Sequence, residues 1–264
     1  MRIGELMYKA NNARAGSYLL GLATIAYGIS CFLQRDFPVY WQPFPDSMPL
    51  RHPLAFLSAG LLVLSGAGLF AHRTSRPAAL TLAVLFFLFT GSWLSHFAER
   101  PGTIWLGFCE NLAVAAGAAA IWARDTGQMR RRHWFGPEAA RFVYGCCSLI
   151  FGLAHFIAID GTASMIPAWL PGTTHFWAAF TGVCHLAVGA ALLVNRLAIP
   201  ATRLAGLMYL IFAAISWLPG AVTHPDQWLR WAGTSISVLL AGAVWAVGDY
   251  LLSARLIGRS PIAS

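Results

Sequence analysis

Two histidines and a glutamate stand inside apolar runs: His155 in FGLAHF, His185 in TGVCHLAVG and Glu110 in FCENLAV. A charged side chain at membrane depth costs about 2.5–3.5 kcal/mol on insertion scales, so all three are functional candidates by position. Glycines mark the faces they share. Gly152 lies three residues before His155, Gly182 three before His185, and Gly189 four after it. Residues three or four apart occupy one helix stripe, and small residues on that stripe mark close helix contacts. His155 is therefore expected to point into a bundle near its outer surface, and His185 about 15 Å along its helix from the outer end. Glu110, beside Cys109, is expected either to bond across a helix interface or to exchange a proton. His155, His185 and Glu110 are the residues assigned to proton chemistry, with a hydrogen bond to a neighbouring helix as the structural alternative for each.

A second set gathers at the outer ends of the apolar runs. Trp169 lies within the two-proline segment MIPAWLPG and His175 follows it, His96 closes another run, and Asp160 stands in an Asp-Gly pair. His175, Trp169 and His96 are expected to contact a cofactor, while Asp160 reads as a cap or turn residue. The MIPAWLPG segment is either a re-entrant cap or an aromatic anchor at the headgroups. No tight ligand spacing predicts a metal site. Haem fits less well than a quinone, because helix rise places His155 and His185 several ångströms apart in depth.

The elements that carry these residues are legible from composition. Hydrophobic residues make up 58% of the 264 positions and charged ones 11%, and the mean hydropathy is +0.61. That balance excludes an ordinary soluble domain and predicts an all-α polytopic membrane helix bundle. Apolar runs near 17–33, 54–72, 78–97, 104–123, 140–158, 176–194, 202–219 and 229–250 give eight expected spans. Fourteen of the eighteen cationic residues fall on the side of both termini and the even-numbered connections, which predicts cytoplasmic termini. The net charge of +8 is thus read as topology, with no nucleic-acid partner. The five cysteines form no CxxC pair and read as reduced, structural thiols.

The halves match at a shift of 123 to 124 residues: Gly28 with Gly152, Asp36 with Asp160, Pro77 with Pro200, Ser92-Trp93-Leu94 with Ser216-Trp217-Leu218, and Trp122-Ala123 with Trp245-Ala246. This predicts a duplicated four-helix unit. Even span numbers make the repeats parallel, related by an axis along the membrane normal. The expected parts are a cytoplasmic N-terminus (1–16), a first repeat (17–123), a basic cytoplasmic linker (124–140), a second repeat (141–252) and a cytoplasmic tail (253–264). Cys31 takes the place of His155 in the first repeat, and Glu110 and His96 meet small or apolar residues in the second.

The run FGLAHF, then Asp160, MIPAWLPG and HFWAAFTG resembles the DoxX-type membrane proteins, over about residues 144–194 and more weakly over 20–72. Gly152, His155, Phe156, Pro167, Pro171 and Gly182 carry the resemblance. It implies a tandem fusion of two four-helix units in a bacterial-type inner membrane, and a quinone-linked or accessory role beside a partner redox protein. No agreed catalytic set transfers. Two other functions fit the same sequence: a non-catalytic anchor for a membrane or periplasmic protein, and a proton-coupled carrier of a small molecule or lipid.

Overall fold

The computed structural model describes residues 14–38, 40–96, 104–126 and 136–258. Among them the regular structure is entirely helical. The long helices are α1 (Ala15–Gln34), α2 (Arg51–Gly68), α3 (His72–Ser92), α4 (Ile104–Asp125) and α5 (Pro137–Ile157). After the short α6 (Ile159–Ser164) come α7 (Thr174–Leu193), α8 (Ala198–Phe212), the short α9 (Leu218–Thr223) and α10 (Trp228–Gly258). Expectations placed on the N-terminal 1–13, on Glu99 and Arg100, on linker positions 127–135 and on the last six residues lie outside the described residues.

Among the described residues seven helical stretches are long and apolar enough to cross a membrane, so the chain has the make-up of a multi-pass integral membrane protein. The segment expected as the second span is α2, which has 18 residues and opens on Arg51-His52-Pro53; those three residues lower its hydropathy.

Helices α4 and α10 form the centre, with 67% and 83% of their spanning windows buried. Their sequences explain this position. NLAVAAGAAAIWA in α4 and SISVLLAGAVWAVG in α10 carry small residues that let backbones meet where burial of apolar surface gives little drive between helices. A Cβ on Gly242 would reach the backbone of Leu20 in α1, and one on Gly117 would reach Ala243 in α10. Around this pair, α1 packs on α10 and α2, α3 on α4, α5 on α4 and α7, and α8 on α10.

The end of the bundle carrying the N-terminus of α1 is locked by buried ion pairs. Asp249, 1% exposed, accepts from Arg203 at 2.5 Å and from the Gly16 amide at 2.9 Å. Asp125 accepts from Arg14, Arg124 and the Ser75 hydroxyl. Several arginines expected as loop charges are thus buried structural partners, each with a carboxylate, as ions removed from water require.

The opposite end is closed by the segment between α1 and α2. Phe37, Trp41 and Gln42 are buried, and the Trp41 carbonyl accepts from the Asn111 amide at 2.8 Å and the Trp93 indole at 3.1 Å. Buried Arg51 holds the segment down, donating from Nε to Asp36 at 2.9 Å and from a terminal nitrogen to the Phe44 and Pro45 carbonyls. Of the two readings of MIPAWLPG, cap or aromatic anchor, exposure of Trp169 at 71% and Met165 at 47% favours the anchor. The two halves differ here: Asp36 pairs with buried Arg51, whereas its match Asp160 pairs with exposed His175.

Candidate functional site

His155 on α5 and His185 on α7 meet where these helices pack through glycine. A Cβ on Gly152 would strike Leu186, and one on Gly182 would press on Phe156 and His155. With both positions bare, the imidazole ring centroids stand 5.0 Å apart. Counting helix rise separately from each outer end places them several ångströms apart in depth, and the ring separation sets 5.0 Å as the upper bound on that difference.

His185 is 2% exposed and enclosed by rings. Phe151 lies 5.7 Å away, Tyr209 5.4 Å and Phe212 6.3 Å between centroids, with His155 completing the box. Its Nδ1 is buried without a hydrogen-bond partner, while the buried Tyr209 hydroxyl adjoins the Tyr144 hydroxyl. An unpartnered nitrogen in an aromatic box is costly, since a buried unmade hydrogen bond costs about 1–3 kcal/mol. Such atoms call for a functional explanation.

His155 is half-buried, and its Nδ1 bonds the Phe151 carbonyl at 2.8 Å. A carbonyl only accepts, so this bond assigns the proton to Nδ1 and leaves Nε2 as the basic nitrogen of the neutral ring. The pair therefore comprises a half-buried proton acceptor and an enclosed imidazole behind it.

Beyond Phe212 the sixth of these spanning stretches, Ala198–Thr223, changes geometry. Ala213–Trp217 is π-helical and runs into α9, whose second residue is Pro219. Proline has no amide to give to the carbonyl four residues back, and π-helical turns concentrate at functional sites. The uninterrupted helices expected from sequence gave no sign of this break; the Trp-Leu-Pro run at 217–219 is the signal that could have found it.

Glu110 belongs to an adjoining polar group. It lies within reach of the Trp41 indole and within electrostatic range of the Tyr27 and Tyr209 hydroxyls. Tyr27 accepts from Gln42 at 3.3 Å. Tyr209 thus stands between the carboxyl from one half and the imidazoles from the other. The tyrosines escaped sequence reading because aromatic residues in apolar runs look like packing; only their hydroxyls distinguish them.

The other expected site residues stay apart from this group. His175 pairs with Asp160 at 2.9 Å, both well exposed, so Asp160 holds a side-chain partner and gives no helix-cap bond. Asp36, its match in the first half, likewise reaches the start of the next helix, at Arg51. Trp169 is exposed, and His96 bonds its neighbour Ser95. The five cysteines are free; Cys109 and Cys147 adjoin each other between α4 and α5. Among the described residues no cluster of three or more histidine, cysteine or acidic side chains gathers as for a metal ion.

Fold and site together define a helical membrane protein with a paired-imidazole centre inside its spanning segments. A family model described as a domain of unknown function (DUF8561) matches residues 145–246, a stretch holding His155, His185, Tyr209 and the π-helical turn. Neither a curated protein nor a solved structure matches the chain.

Proposed function

We propose that the chain is a quinone-interacting, accessory subunit of a membrane redox system, of DoxX type, set in a bacterial-type inner membrane with both termini cytoplasmic. The observation that carries the reading is the His155–His185 pair at 5.0 Å, with one ring accessible and the other enclosed. A bound quinol would supply two electrons and two protons. His155 Nε2 is the nitrogen that accepts a hydroxyl proton, because Nδ1 is committed to Phe151. Behind it, His185 Nδ1 is unpartnered and, with the Tyr209 hydroxyl, suited to hold or pass a proton towards Glu110. Electrons leave to a partner redox protein. His175, Trp169 and His96, on the exposed outer surface, fit contacts to that partner better than contacts to the quinone ring.

The eight-span, two-repeat arrangement belongs to this proposal, with units at 17–123 and 141–252. Matching α1 with α5, α2 with α7, α3 with α8 and α4 with α10 turns each major helix contact into another observed contact. Trp93 lies over Gly107 and Trp217 over Gly233, the same tryptophan-on-glycine contact in each unit. These correspondences support a side-by-side duplication.

The test is extraction of protein purified in mild detergent, followed by chromatography for benzoquinones and naphthoquinones. Copurified quinone, or saturable uptake of added quinone that His155→Leu abolishes, is the expected result. A folded protein that neither retains nor takes up a quinone sinks the proposal and leaves the anchor reading ahead.

A further inference from the structure

At the end of the bundle that carries the α1 N-terminus, a surface cavity of about 310 Å³ is lined by Pro137, Glu138, Arg141, Asn195, Leu251, Ala254 and Arg255. That volume is at the lower end of the roughly 300–1,000 Å³ of small-molecule sites. The cavity lies away from the imidazole pair, at the other end of α5.

Its cations differ from the neighbouring arginines. Arg14, Arg124 and Arg203 each face Asp125 or Asp249, whereas Arg141 and Arg255 have no such carboxylate partner among the described residues. Arg141 donates to the Leu192 and Leu193 carbonyls at the end of α7, and its Nε is buried without a partner. Arg255 donates to the Asn195 side chain at 3.1 Å. The first turn of α5, through Pro137 and Glu138, borders the cavity, and a helix start favours anions through its dipole.

Glu138 on the rim and the carbonyl end of α7 oppose an anion. The two guanidiniums outnumber the single carboxylate on the lining, and Leu251 with Ala254 supplies an apolar wall. Cations beside an apolar wall at the mouth of membrane-spanning helices match a phospholipid, which presents phosphate and hydrocarbon together.

We propose that this cavity binds the phosphate group of an anionic phospholipid. The protein in mild detergent is titrated with phosphatidylglycerol, phosphatidylcholine or inorganic phosphate, and bound lipid is counted by native mass spectrometry. Phosphatidylglycerol is expected to bind more tightly than phosphatidylcholine and to resist millimolar inorganic phosphate. Arg255→Gln, at an exposed position, weakens it about fivefold, the contribution of one cation near an anionic surface. Glu138→Gln tightens it, a change of sign that loss of structure would not produce. Equal binding of the two lipids, an unchanged affinity in both variants, or ready displacement by inorganic phosphate overturns the assignment, the last by making this a free-phosphate site.

Discussion

The rings of His155 and His185 approach to 5.0 Å because glycine stands at the crossing of the helices that carry them. Gly152 accommodates Leu186, and Gly182 accommodates Phe156 and the His155 side chain. The proximity of the two imidazoles is therefore a property of the helix interface, and histidine chemistry and glycine packing are one design.

His185→Leu separates function from stability. It removes an unpartnered buried nitrogen and places an aliphatic side chain among aromatic rings, so the stability change is expected to remain within about 1.5 kcal/mol. Quinone binding is expected to fall with it. Thermal unfolding in detergent, monitored beside quinone retention, checks both; a variant that keeps full binding removes His185 from the site.

The histidines and the glycines beside them were visible from spacing alone, because a stripe of three and four is a local property of one helix. Their mutual distance was not, since it depends on how α5 and α7 slide past each other. The same limit hid the plug at 35–50. Two matched segments, each rich in proline and aromatic residues, look alike in sequence, and they differ in the partner that Asp36 and Asp160 find, Arg51 in one and His175 in the other. Asp125 and Asp249 carry no spacing signal, and only the fold supplies the arginines that pair with them.

Asp249→Asn tests that lock. Asp249 pairs with Arg203 and caps the Gly16 amide, and loss of one partner from a buried pair costs about 3–5 kcal/mol. Thermal unfolding is expected to show a large fall in stability, whereas Asp160→Asn, in the exposed pair with His175, leaves the midpoint unchanged. Similar midpoints for the two variants would refute the distinction.

Gly242→Ala forces α10 away from α1, because the added Cβ meets the backbone and side chain of Leu20. A backbone atom cannot rotate aside, so a cost of about 1–3 kcal/mol is expected. Gly91→Ala is the control: nothing lies within 4 Å of its added Cβ, and alanine there gains helix propensity. Unfolding of the two variants in the same detergent compares them directly.

Arg51→Gln is expected to release the segment between α1 and α2 without unfolding the bundle. The substitution removes the bonds to Asp36, Phe44 and Pro45 but leaves the central packing of α4 on α10 untouched. Trp41 would then lose its fixed carbonyl position, and Asn111 and Trp93 would lose their acceptor. Hydrogen exchange should accelerate at 40–50 and at the start of α4, with the centre of α10 still protected. Unchanged exchange at 40–50 would mean that Trp41 and its acceptor role hold the plug without Arg51.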